Sequence, residues 1–157
     1  MRQQVVGPKI IYKEVALTCD TAVYADGDVL AATQEVAGVC ENGYPVALWS
    51  VALLDKDDQG AALDIYFLRT NVSIGTENAA AGITDAVADE VLTVVSIAAA
   101  DYTDMGSSQF AIKNAGDDGM GVVLFPDGGD SIFVAAESGG TGTYTAAGLT
   151  LKLGFLP

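Results

Sequence analysis

The stretch Val46–Thr70 reads VALWSVALLDKDDQGAALDIYFLRT and decides the fold class. Two apolar runs, Val46–Leu54 and Ala61–Leu68, flank the polar turn DKDDQG. Their aromatic and β-branched residues mark strands. Side chains in a strand alternate between faces. The first run then places Ala47, Trp49, Val51 and Leu53 on one face and Val46, Leu48, Ala52 and Leu54 on the other. Neither face is polar. The second run sets Leu63, Ile65 and Phe67 against Ala62, Asp64, Tyr66 and Leu68. The pattern predicts a central β-hairpin covered on both sides. A second sheet would cover one face, and a loop or another subunit the other.

The same signals recur outward from this stretch. Ile10–Thr18 and Val29–Val39 read as strands, separated by a turn at Asp26-Gly27. Glu41-Asn42-Gly43 is a further turn, with Asn-Gly suited to positive φ. Downstream, Asn71–Thr84 is a loop, and Thr84 or Asp85 caps a short helix over Asp85–Leu92. Thr93–Ala98 and Ser107–Lys113 are strands. Met120–Phe125 and Ser131–Ala136 read as a second hairpin around PDGGD. In Leu149–Phe155, Leu149, Leu151 and Leu153 face inward, and Thr150 and Lys152 outward. About eight strands, closely spaced turns and at most one short helix predict an all-β, single-domain antiparallel sandwich of jelly-roll type. Residues 1–12 read as an N-terminal arm, broken by Gly7-Pro8, and residues 13–157 as the sandwich domain.

Composition narrows the function. The 157 residues carry 21 acidic and 7 basic side chains, a net charge of −14. Nucleic acid and anionic membrane surfaces are disfavoured, because binding them relies on Lys and Arg. No signal peptide or membrane span is evident. The expected compartment is a reducing cytosol, where Cys19 and Cys40 are favoured as buried thiols over a disulfide.

The chain has no histidine. This removes Ser-His-Asp and Cys-His catalysis and His-bearing zinc sites. Phosphate-binding glycine loops are lacking, since the Gly-rich runs have neither the strand–helix context nor the Lys. No acidic pair stands out for glycoside hydrolysis. We therefore expect no enzyme, no catalytic residues and no cofactor. Asp55, Asp57 and Asp58 in DKDDQG imitate the opening of a calcium loop, but the twelfth position is Tyr66 where such a loop has Glu, which favours an acidic turn. Trp49 and the tyrosines are candidates for sugar stacking, although a place in an apolar strand favours the core or a subunit interface. A carbohydrate-binding sandwich, with or without calcium, stays open as the alternative.

Several segments taken in order carry a resemblance. They are YADGDVL at 24–30, LDIYFL at 63–68, ENAAAGITDAVADEVLTVVSI at 77–97 and SIFVAAESGGTGTYTAAGLTLKLGF at 131–155. Together they resemble the capsid decoration, or cement, proteins of tailed bacteriophages, small virion proteins with a jelly-roll-like sandwich. Two departures stand out. Glu77–Ala81 lacks the aromatic residue frequent in that loop, and no Arg precedes Tyr144. The resemblance implies a homotrimer on the exterior of the virion head, assembled in the host cytoplasm and bridging neighbouring major capsid proteins once the shell has expanded. On this reading Arg2, Gln3, Val5, Lys9, Ile11 and Tyr12 contact the shell, and Trp49, Tyr66 and Tyr144 pack between subunits.

Overall fold

The computed structural model describes residues 9–157. Among these, eight longer strands are β1 (Ile11–Leu17), β2 (Val29–Val36), β3 (Val46–Asp55), β4 (Leu63–Leu68), β5 (Val91–Ile97), β7 (Gln109–Asn114), β9 (Ile132–Ser138) and β10 (Leu149–Leu156). Two dipeptide strands, β6 (Thr103–Asp104) and β8 (Val123–Leu124), complete the set. One sheet runs β1-β10-β3-β7-β6, with β8 also paired to β3; the other runs β2-β9-β4-β5. All the strand pairs are antiparallel. β1 pairs with β10, β2 with β9, β3 with β7 and β4 with β5. This nested order is a long antiparallel hairpin, closed at β4–β5 and rolled into two sheets, which is a jelly roll.

The central hairpin is corrected by this topology. β3 and β4 do not pair, and DKDDQG carries the chain from one sheet to the other. Met120–Phe125 and Ser131–Ala136 are likewise no hairpin, since β8 pairs with β3 while β9 lies between β2 and β4. A short polar turn between apolar strands suits a sheet-to-sheet crossing as well as a hairpin. Sequence pattern does not separate the two.

The core lies between the sheets. Leu53, Phe67, Leu151, Leu153 and Phe155 are fully buried there, and burying such a side chain stabilises by roughly 1.5–3 kcal/mol. β10 alternates as expected, with Leu149, Leu151 and Leu153 inward. β3 does not keep one alternation along its length. Leu48 pairs with Phe155 and Ser50 with Gly154, so Trp49 is an extra residue in a β-bulge. The bulge brings Val46, Leu48, Val51 and Leu53 to the same inner face, and all four are buried. Trp49 is left outside.

The outer face of the second sheet is covered. The connection from β4 to β5 folds back over it, and Ile74, Val72 and Val87 pack on Leu68, Ala135 and Phe133. That connection contains α1 (Asp85–Ala88), whose Thr84 hydroxyl accepts from the Val87 amide at 3.4 Å. α1 is shorter than expected because Val91 already pairs with Leu68 in β5. At the N-terminus, Ile11 and Tyr12 belong to β1, opposite Phe155 and Gly154, and not to an arm. Arg2, Gln3 and Val5 lie outside the described residues. Cys19 and Cys40 are buried free thiols.

Candidate functional site

The outer face of the first sheet has no such cover among the described residues. Register places Tyr12, Glu14 and Ala16 of β1 on it, with Thr150, Lys152, Gly154 and Leu156 of β10. β3 adds Ala47, Ser50, Ala52 and Leu54, and β7 adds Phe110, Ile112 and Asn114. Glu14 and Lys152 are the charged members, and they are cross-strand partners. The face therefore carries no net charge in a chain of −14. Four of its apolar side chains are open to solvent, with Trp49 47% exposed, Ile112 49%, Tyr12 57% and Val123 58%, while Ala52 and Thr150 on the same face are buried. Exposed apolar side chains grouped on one sheet face make it the candidate interaction surface among the described residues.

The exposed apolar residues crowd towards one end of this sheet, where β1 begins, β10 ends and β3 begins. Two clefts open there. One, of about 420 Å³, is framed by Tyr44, Pro45, Val46 and Pro157, with Glu41 and Asn42 at its rim. The other, of about 440 Å³, lies beside residues 9–13, Gly38 and Asp130, and it too meets Glu41 and Pro157.

The three residues assigned to a subunit interface are not brought together. Trp49 lies on the open face. Tyr66 is on the outer side of the opposite sheet, half-buried beside the covering loop, and its hydroxyl donates to Glu137 Oε2 at 2.8 Å. Tyr144 is in the core, 2% exposed, its ring centroid 6.1 Å from that of Tyr24. Burial in the core removes Tyr144 from any interface and corrects that assignment. The Tyr144 hydroxyl has no hydrogen-bond partner among the described residues. Its pKa is raised, first by burial and then by the charge of Asp55. A buried hydroxyl without a partner costs stability. Tyr144→Phe is expected to leave stability unchanged or to raise it by up to about 1 kcal/mol in urea unfolding; a loss greater than that would show that the hydroxyl is satisfied.

The acidic turn is occupied by the fold itself. Asp55 is fully buried. Its Oδ1 accepts from the Asp57 amide at 2.9 Å, and its Oδ2 from the Gln59 and Gly60 amides at 2.9 and 2.8 Å. Asp57 accepts from the amide and hydroxyl of Thr145. Backbone N–H groups aimed at both carboxylates compete with any cation. Asp58, exposed and with a φ of 56°, joins no cluster of metal-binding side chains among the described residues. DKDDQG is an acidic turn that ties the β3–β4 crossing to the loop before β10.

Other polar groups support loops. Arg69 donates twice to Glu90, at 3.0 and 2.8 Å, and Thr70 donates to the same carboxylate at 2.9 Å. The Arg69 bonds hold Glu90 below the usual carboxylate range, and the pair fastens the two ends of the covering connection. Lys113 meets Asp101 at 2.7 Å. Burial pushes the Cys19 thiol up to about 12, with Glu77, Asp57 and Asp55 adding to the rise. Such a thiol is inert as a nucleophile. Compared with models of known protein families the sequence finds no match, and compared with curated proteins it finds none.

Proposed function

We propose that the chain is a non-catalytic structural subunit of a phage virion, a decoration protein that binds the exterior of the expanded capsid as a homotrimer. Its partners are the major capsid protein and further copies of itself. One observation carries the reading: a jelly roll whose second sheet is covered by its own loop leaves open the first sheet's outer face, with its exposed aromatic and aliphatic side chains and no net charge. Trp49, held out by the bulge, is the natural anchor for a neighbouring subunit, since buried aromatic residues dominate interface energetics. Binding that favours the expanded shell stabilises that state by mass action. Three linked contacts turn modest individual affinities into tight attachment.

Light scattering should give a trimer, and the protein should co-sediment with expanded empty capsids of the phage that encodes it. Trp49→Ser is expected to keep the fold, because the side chain is half-exposed, but to release monomers. Apparent shell affinity should then fall by about a hundredfold as avidity is lost. A trimer that survives Trp49→Ser would remove this face from the subunit contact. Failure of the unaltered protein to bind expanded shells would overturn the function. A carbohydrate-binding module is the second reading, favoured by the exposed rings of Tyr12 and Trp49 on one face; a glycan array response that Trp49→Ser abolishes would establish it.

A further inference from the structure

The free N–H and C=O groups along a sheet edge are a template for another strand. Among the described residues most edges of the two sheets are sealed. Along β5, the Thr93 hydroxyl donates to the Gly119 carbonyl at 2.9 Å, and Gly119 stands against the Val94 carbonyl. Along β2, the Val29 amide donates to the Ala79 carbonyl at 2.8 Å and the Ala32 amide to Glu77 Oε1 at 3.3 Å. β7 is covered by β6 at Gln109 and Phe110, and its Asn114 amide donates to Asp117 Oδ2 at 2.7 Å. β6 and β8 are dipeptides, too short to template a strand. β1 differs, because only its C-terminal end is capped. There Gln34 Nε2 donates to the Ala16 carbonyl and Gln34 Oε1 accepts from the Thr18 amide, both at 3.0 Å. Backbone groups alternate in direction along an antiparallel strand, so Ile10, Tyr12 and Glu14 turn theirs to the same free side as Ala16. The Cys19 amide, out of phase with these, donates to Ala146 on the β10 side. We propose that this edge is a pairing site for a second copy of the chain, β1 against β1, antiparallel about a two-fold axis at Tyr12.

Three observations select this occupant and this register. The first is elimination. With the other edges sealed, a second copy has only β1 to offer, and an edge that pairs with itself makes an isologous contact. The second is fit. The open stretch runs from Ile10 to Glu14 and stops at the Gln34 cap, so its midpoint is Tyr12. A two-fold axis there pairs the whole stretch with itself. Ile10 meets Glu14 of the second copy, and Tyr12 meets Tyr12 of the second copy, each pair exchanging two bonds. Ile10 and Tyr12, 60% and 57% exposed, gain cover on the same side of the sheet. The third is charge. Lys13 falls opposite Ile11 of the second copy, so no like charges face each other, which matters between chains of −14. An axis at Lys13 or at Glu14 would set two like charges face to face. Paired in this way, the first sheets of two copies become one continuous sheet. Trp49 takes no part in the pairing, which therefore neither needs nor excludes the trimer contact, and the inference does not depend on the virion reading.

Cysteine bridging in the full chain tests both the edge and the register. Tyr12 and Glu14 are exposed, so Tyr12→Cys and Glu14→Cys keep the fold, and the native thiols are buried. In the proposed register the two copies of residue 12 stand about 5.5 Å apart between Cα atoms, within reach of a disulfide. The two copies of residue 14 are four residues out of step, roughly 13 Å along the strand, and cannot bridge. Gentle oxidation of concentrated protein should therefore convert Tyr12→Cys to a dimer on a non-reducing gel about tenfold faster than Glu14→Cys. An equal mixture of Ile10→Cys and Glu14→Cys should bridge as readily as Tyr12→Cys. Equal rates for Tyr12→Cys and Glu14→Cys would mean random collision and overturn the proposal. A Tyr12→Cys protein that stays unbridged would overturn it too, leaving the edge to an extended segment of another protein. Tyr12→Cys should bridge equally well when combined with Trp49→Ser, so the outcome is read apart from the trimer contact and from capsid binding.

Discussion

Asp55→Ala is expected to lower stability by about 3–4 kcal/mol, the penalty for leaving several polar groups of the β3–β4 crossing without their acceptor. The Asp57, Gln59 and Gly60 amides all point at this one carboxylate. Water replaces it poorly, because the site is fully buried. The informative companion is Asp55→Asn, which keeps the shape. Both carboxylate oxygens accept, so an amide group must turn a donor towards at least one backbone N–H. A loss of about 2 kcal/mol is expected for this variant. For a domain of this size, each kcal/mol lowers the melting temperature by roughly 2–4 °C, so calorimetry resolves the two. A melting temperature unchanged in Asp55→Ala would show that the carboxylate does not hold the crossing. Calcium should leave the unaltered protein's melting temperature unmoved, since backbone N–H groups already point at the Asp55 and Asp57 carboxylates.

Gly119→Ala is the second large effect, about 3 kcal/mol or more of destabilisation. Gly119 lies in the β7–β8 connection with a φ of +78°, and a Cβ built on it would stand 2.1 Å from the Val94 carbonyl oxygen. The obstacle is backbone of β5, which cannot swing aside as a side chain can. Gly119 also accepts from the Thr93 hydroxyl at 2.9 Å, and the next residue, Met120, is buried in the core. Displacing the loop therefore loosens both. Gly121→Ala is the control. Its φ is +71°, but nothing lies within 4 Å of the added carbon. It should cost only the left-handed conformation, roughly 1 kcal/mol. Equal losses in urea unfolding for the two variants would show that strain, not collision, governs Gly119.

Trp49 and Tyr144 show where sequence reading stops at the level of a site. Alternation assigned Trp49 to the face of Val51 and Leu53, but the bulge opposite Gly154 reverses the phase within β3. A bulge leaves little trace in one strand, because it depends on the partner: an added Cβ at Gly154 would meet the Ser50 hydroxyl oxygen at 2.5 Å. Tyr144 was assigned to an interface, yet it fills the core beside Tyr24, a residue distant in sequence but near in space. DKDDQG was recognisable as an acidic turn rather than a calcium loop. That Asp55 holds it from within, and Asp57 from Thr145, became visible only once the two segments met.

The sequence by itself determined the strands, because their apolar runs, β-branched residues and turn signals are local. It also determined the turn at Asn42, with its φ of 55°, the inward face of β10, and the lack of any histidine for catalysis. Tertiary structure alone decided which strands pair. A turn between two apolar runs is compatible with a hairpin or a crossing, and the choice rests on contacts between segments far apart in the chain. It also decided which face stays open. β3 reads as apolar on two sides, and only the folding of residues 69–90 over the second sheet leaves the first as the surface available to a partner.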